Sequence, residues 1–191
     1  MTAYPNGERC AAATAERWLA YLLNAYRGIS YYSKRLKAHR LWKKASDAPC
    51  GLLDRSIGIV GLDGVSEQLI RLLLAFGCRV GVCSDTPLDA ALAARGVEQS
   101  TLDGLADRSE VLWLGRNGAS GAVERFGAAQ MTALRRGTVL LVAAPEAIDP
   151  EALSAALSDG ALTVLLSDPT HLLPASIHAH SSVTLLPLDG E

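Results

Sequence analysis

Apolar positions in this chain fall into two alternating patterns from residue 57 onwards. Short unbroken runs rich in Val, Ile and Leu occupy 57–61, 79–83, 111–114, 138–143, 162–166 and 183–186, the length and continuity of strands buried on both faces. Residues 97–99 would add one more short strand. Between the runs, apolar residues at 66–76, 88–94, 128–134 and 150–157 follow helical spacing. Strand and helix in regular alternation predict an α/β fold, a doubly wound parallel sheet with helices on both faces joined by right-handed crossovers. Ahead of this, 11–26 reads as an amphipathic helix with Trp18, Leu19, Leu22, Leu23 and Tyr26 on one face, and 1–10 is expected to be loose. The chain thus divides into an N-terminal helical segment at 1–50 and a main domain at 51–191. Residues 47–51, with Pro49, form the expected linker.

The first strand–helix unit carries the most chemistry. Its sequence, SIGIVGLDGVSEQLI at 56–70, is a strand, a glycine turn and a helix, as in the first unit of a Rossmann-type dinucleotide-binding domain. There the pyrophosphate rests on backbone N–H groups at the helix N-terminus. Measured against G-x-G-x-x-G, Gly61 fills the first place, Asp63 stands at the second and Ser66 at the third, with Gly64 one place out of register. Ligands of such sheets bind beyond the carboxyl ends of the strands. The candidate cofactor-binding residues are therefore Gly61, Leu62, Asp63, Gly64 and Val65, then Ser84 and Asp85, Gly115 and Arg116, Ala143 and Ala144, and Asp168.

Charge and composition narrow the class. Net charge is −2, which offers no overall field for nucleic acid, yet the charge is divided. Residues 27–44 hold seven of the eighteen Lys and Arg with no acid, interleaved with Tyr31, Tyr32 and Trp42. Such an arm could contact phosphates and stack bases; as a solvated second helix it would do neither, and nucleic acid is not the expected partner. The four cysteines form no C-x-x-C pair, and with no signal-peptide pattern at 1–10 the expected setting is reducing and cytoplasmic. Cys83, ending a strand, is expected in the core. His178 and His180 lie in an expected loop without further ligands, and no metal site follows. Ser181 and Ser182 lack the G-x-S-x-G context of a nucleophile elbow.

Six blocks in order, TAERWLAYLLNAYRG at 14–28, IGIVGLDGVSEQL at 57–69, LAFGCRVGVCSD at 74–85, SEVLWLG at 109–115, ALRRGTVLLVAA at 133–144 and PEALSAALSDGALTVLLSDPT at 150–170, resemble the cofactor-binding domain of the D-isomer-specific 2-hydroxyacid dehydrogenases. The first resembles the family's hinge helix, the second its glycine loop.

The resemblance implies NAD as cofactor. Ser84 aligns with the family's ribose-binding acid and Asp85 lies one place later, either a ribose ligand or a turn residue before Thr86 and Pro87. No Arg follows to take a 2′-phosphate, which favours NAD over NADP. Asp168 matches an Asp beside the nicotinamide amide, or caps the turn before Pro169; Arg116 would either offset the Asp63 charge or face solvent. The family's catalytic set is an Arg for the substrate carboxylate, a His acid–base and a Glu that tunes it. Those places hold Pro145, Leu188 and His171, so no catalytic residue is assigned and hydride transfer to a 2-oxo acid is not expected. The family's substrate domain is likewise expected to be missing. In these losses the chain is similar to the C-terminal-binding-protein branch and to the plant Angustifolia-type members, which implies a binding or corepressor-like scaffold, weakened in NAD affinity, with an unknown protein partner and a nuclear location as the alternative. A different reading is a partial NAD-dependent 2-hydroxyacid oxidoreductase completed by another chain or by a missing N-terminal half. The hinge helix at 14–27 packs across a dimer interface in the family; an apolar face left open there would make the protein a homodimer.

Overall fold

The computed structural model describes residues 6–39, 51–115, 125–160, 162–167 and 172–186. Seven parallel strands form one sheet: β1 (Ser56–Val60), β2 (Arg79–Cys83), β3 (Glu98–Gln99), β4 (Val111–Leu114), β5 (Thr138–Val142), β6 (Leu162–Leu166) and β7 (Val183–Leu185). Their order is β3-β2-β1-β4-β5-β6-β7, with strand direction parallel at every pairing. The order runs outward on both sides of β1, so the connection changes direction between β1 and β4, and a crevice opens there at the carboxyl edge. The central strands β4 and β5 are buried along their whole length, as continuous apolar runs require. The edge strand β3 is two exposed polar residues, which blunts pairing with another chain.

Helices α1 (Asn6–Arg27), α2 (Ile29–His39), α3 (Gly64–Ala75), α4 (Ala90–Ala93), α5 (Leu102–Arg108), α6 (Ala128–Ala133), α7 (Pro150–Ser158) and α8 (Ala175–His178) are the helices among the described residues, with a 3₁₀ turn at Pro145–Ala147. Residues alternate between two cores along the central strands. Ile57 and Ile59 face α1 and α3, while Val60 faces the core containing Leu105, Phe126 and Leu153. The expected strands, and the expected helices that lie between them, agree with the structure to within two residues, and 97–99 does contain β3.

Several expectations need correction. Helix α1 begins at Asn6, so residues 6–10 are helical. Its apolar face is not open: Leu22 is fully buried and Trp18 and Leu19 nearly so, packed with α3 and the sheet in one cluster. An amphipathic helix needs some apolar surface to cover it, and here α3 and the sheet supply it. His178 ends α8 and is not in a loop. Helix α5 has no counterpart in the sequence reading. Cys83 is half-buried at the margin of the core. Across 27–44, the described part is Arg27, exposed at the end of α1, and then α2, where Tyr31, Lys34, Arg35 and Lys37 are exposed, as in a solvated helix; Arg40, Trp42, Lys43 and Lys44 lie outside the described residues.

Candidate functional site

Strand β1 delivers its carboxyl end into a left-handed turn at Gly61, φ +84°, a conformation costly for any residue with a Cβ. The Gly61 N–H donates to the Cys83 carbonyl at 2.9 Å, which ties the turn to β2. Helix α3 then starts at once. Asp63 is its N-cap in extended conformation, and its carboxylate accepts the Ser66 N–H at 2.8 Å. The Ser66 hydroxyl answers by accepting the Asp63 N–H at 2.7 Å and donating to the Asp63 carbonyl at 3.0 Å. This is a reciprocal capping box. It explains how a serine with no solvent exposure occupies the place of the third glycine: every bond its hydroxyl needs is made within the turn. Among the described residues, the first two N–H groups of α3, those of Gly64 and Val65, have no partner and are open to a ligand. Leu62 and Val65 flank the turn half-buried against the α1–α3 core, and Gly64 is exposed, with Ala11 of α1 beside it.

The remaining expected residues arrive at the same edge. After β2, the Ser84 hydroxyl accepts the Thr86 N–H at 3.0 Å and donates to the Thr86 carbonyl at 2.7 Å, forming a tight turn that leaves Asp85 exposed at its tip. After β4, the buried Gly115 donates to the Val60 carbonyl at 2.9 Å, knitting the two sides of the crevice. The Trp113 indole folds along the strand over Gly115, and a Cβ there would lie 2.2 Å from its Nε1. That Nε1 is buried with no hydrogen-bond partner among the described residues. After β5, the N–H groups of Ala143 and Ala144 both donate to the Leu114 carbonyl, at 2.9 and 3.0 Å. Then Pro145 opens the 3₁₀ turn and is buried. Arg116, Asp168, His171 and Leu188 lie outside the described residues. The structure thus brings ten of the twelve expected cofactor residues to one edge, around the switch between β1 and β4.

These residues fit a dinucleotide in outline: a glycine turn into a helix N-terminus, a hydroxyl-and-carboxylate turn after β2, and small residues after β4 and β5. They fit its pyrophosphate less well. The Asp63 carboxylate already occupies the N-terminal dipole of α3 and presents negative charge where a phosphate would come. Among the described residues no group of three or more His, Cys, Asp or Glu could hold a metal ion, and no helix is long and apolar enough to cross a membrane.

Comparison with known proteins places this geometry. The family model for the "D-isomer specific 2-hydroxyacid dehydrogenase, NAD binding domain" matches residues 19–187. The D-3-phosphoglycerate dehydrogenase of Mycobacterium leprae (strain TN) is 30% identical over 100 residues, which cover 52% of this chain and 19% of that protein. The TT0316 protein of Thermus thermophilus superposes with a TM-score of 0.74 at 25% identity, over 93% of this chain and 57% of that one. D-lactate dehydrogenase of Aquifex aeolicus, solved with NAD and lactic acid, superposes with a TM-score of 0.73 at 20% identity, over 81% of this chain and 46% of that one, which shows the fold alone. The matched stretch is about a fifth of the length of the curated relative. The chain belongs to the D-isomer-specific 2-hydroxyacid dehydrogenase family, as its NAD-binding domain.

Proposed function

We propose that this chain works as a non-catalytic binding or scaffold module of its family, corepressor-like in kind, that retains NAD binding in weakened form. The observation that supports the reading is Pro145. It stands at the end of β5, at the family's place for the substrate-binding Arg, and it is buried at the start of a 3₁₀ turn. A proline ring there carries no charge to hold a carboxylate and no proton to exchange. NAD, when bound, would bring a hydride-transferring nicotinamide to this edge. The chain's own residues would hold it by the N–H groups of Gly64 and Val65 and by the Ser84–Asp85 turn, against the opposing charge of Asp63.

The test is a titration of the full chain with NADH and NAD, following melting temperature and quenching of the buried tryptophans, alongside turnover assays with NADH and glyoxylate or hydroxypyruvate. A ligand at 100 times its Kd adds about 2.7 kcal/mol of stability, a shift of several degrees for a domain of this size. Binding without turnover is the expected result. Turnover at ordinary enzyme rates would refute the non-catalytic reading. No melting shift at millimolar cofactor would refute the retained NAD binding.

A further inference from the structure

The edge of the sheet opposite the crevice also carries a cleft, of about 400 Å³. It lies where β1, β4 and β5 begin and the last turn of α1 ends, and its walls include Tyr26, Arg55, Glu110, Arg135, Arg136 and Gly137. Strand β1, five residues long, separates it from the glycine turn, a distance of roughly 15 Å.

Three guanidinium groups face one carboxylate here. Arg55 and Glu110 pair with each other through Nη1 and Oε1, and the other Glu110 oxygen accepts the Ser56 N–H at 3.1 Å. The Arg55 guanidinium lies 5.7 Å over the Tyr26 ring. This base of the cleft is therefore internally balanced. The two further arginines are surplus charge, and they sit on a turn that is held in place. Thr138, buried, donates its hydroxyl to the Arg135 carbonyl at 2.8 Å, and its N–H bonds the same carbonyl at 3.1 Å. Gly137 turns the chain with φ +86°, and Arg135 donates Nε–H to the Asp107 carbonyl at 3.0 Å. Arg136 makes no hydrogen bond or ion pair among the described residues.

We propose that this cleft is a second binding site, for a small free phosphomonoester, held by the guanidinium groups of Arg135 and Arg136 with Arg55 at its base. A planar guanidinium offers paired N–H donors that match two oxygens of a phosphate, and two of them beside a cleft answer a dianion. The volume admits a phosphate carrying a short organic group. The site is independent of NAD, since it lies at the other end of the strands from the crevice.

The experiment titrates the full chain with inorganic phosphate and with glycerol 3-phosphate, by calorimetry and by melting shift, at ionic strength held constant with sodium chloride. Both ligands should bind saturably, glycerol 3-phosphate more tightly. Arg136→Gln, which removes a group with no structural bond, should weaken both by about tenfold, the value of one charged hydrogen-bonded contact. The double variant Arg135→Gln/Arg136→Gln should abolish binding while its NADH titration stays as in the parent chain. Three results would overturn the proposal: no saturable binding at tens of millimolar ligand, binding undiminished in the double variant, or capture by vesicles containing phosphatidylglycerol with no binding of the free phosphates. A failure of NADH to bind leaves these readouts intact, so the two readings stand or fall separately.

Discussion

The ring of Trp18 on α1 meets that of Trp113 on β4 edge to face, with centroids 4.9 Å apart and planes at 84°. Trp18 retains 6% of its exposure and Trp113 1%, so the contact lies inside the core shared by α1, α3 and the sheet. It makes α1 part of the domain and not an arm attached to it. Truncating Trp18 to Ala should lower stability by about 3–5 kcal/mol, the usual cost of emptying a buried aromatic site. Trp18→Phe, which keeps most of the buried area, should lose much less. Urea unfolding of the two variants reads this directly. A loss below about 1 kcal/mol for the Ala variant would mean that α1 does not hold the sheet.

Asp63 has two jobs that substitution can separate. As N-cap it stabilises α3, and as a carboxylate it opposes a pyrophosphate at the same helix end. Asparagine caps as well as aspartate but carries no charge. Asp63→Asn should leave the melting temperature nearly unchanged and tighten NADH binding by about tenfold or more, since a like-charge contact near a surface costs on the order of 1–4 kcal/mol. Ser66→Ala should do the opposite: it breaks the box, lowers stability by about 1 kcal/mol or more, and leaves the charge where it was. Equal NADH affinity in the Asn variant and the parent would show that Asp63 does not face the cofactor.

The fold was legible because parallel strands buried on both faces must be apolar without interruption, and here such runs stand between glycine or polar breaks. Helix α5 was not legible, because Leu102, Leu105 and Ala106 are too few for a period to show; its stability comes from packing on β1 and β2. Its local signals are slight: the Thr101 hydroxyl, which accepts the Gly104 N–H at 3.1 Å, Asp103 in the first turn and Arg108 in the last. The burial of α1 was beyond the sequence for a different reason. An amphipathic stripe specifies that a partner surface exists but not which chain provides it. At the site, the glycine turn and the strand ends could be read from position alone. Matching Asp63 and Ser66 singly against glycines hides their pairing, whereas an Asp just ahead of a helical run is itself an N-cap signal. The Trp113 indole over Gly115 depends on how a side chain folds back along its strand, and the pairing of Arg55 with Glu110 joins residues far apart in the chain, so nothing local marks either.

The Arg55–Glu110 pair sets an acid limit on stability. Burial alone would push the Glu110 carboxyl up, but the Ser56 N–H and the Arg55 guanidinium outweigh it and hold the carboxyl below its ordinary value of 4.5. A carboxyl depressed in the folded state adds stability that is present above its unfolded pKa and is lost as pH falls through the folded one. The parent chain should therefore lose melting temperature below about pH 4.5 more steeply than Glu110→Gln, whose curve lacks this contribution. Both side chains keep about a third of their exposure, so the difference should be modest and should shrink at high salt. Parallel curves across pH 3 to 6, on the order of that window, would show that the pair contributes no linked stability.

Cys78 gives the alkaline counterpart. Its thiol is buried, donates to the Leu52 carbonyl at 3.3 Å, and is pushed by burial from 9.0 up to about 11. Here the folded pKa is raised, so the contribution is complete below pH 9 and is lost as pH rises towards 11, because the unfolded thiol ionises first. Cys78→Ala should flatten the fall in stability across that interval. The same burial governs reactivity, since the thiolate is the nucleophile. At about pH 8, near the thiol's ordinary range, iodoacetamide should label the exposed Cys10 in the native chain and leave Cys78 untouched until urea opens the core. Peptide mapping of the alkylated protein separates the two sites. Labelling of Cys78 at a rate within about tenfold of that of Cys10 under native conditions would mean that the segment from Leu52 to Cys78 opens far more readily than its packing implies.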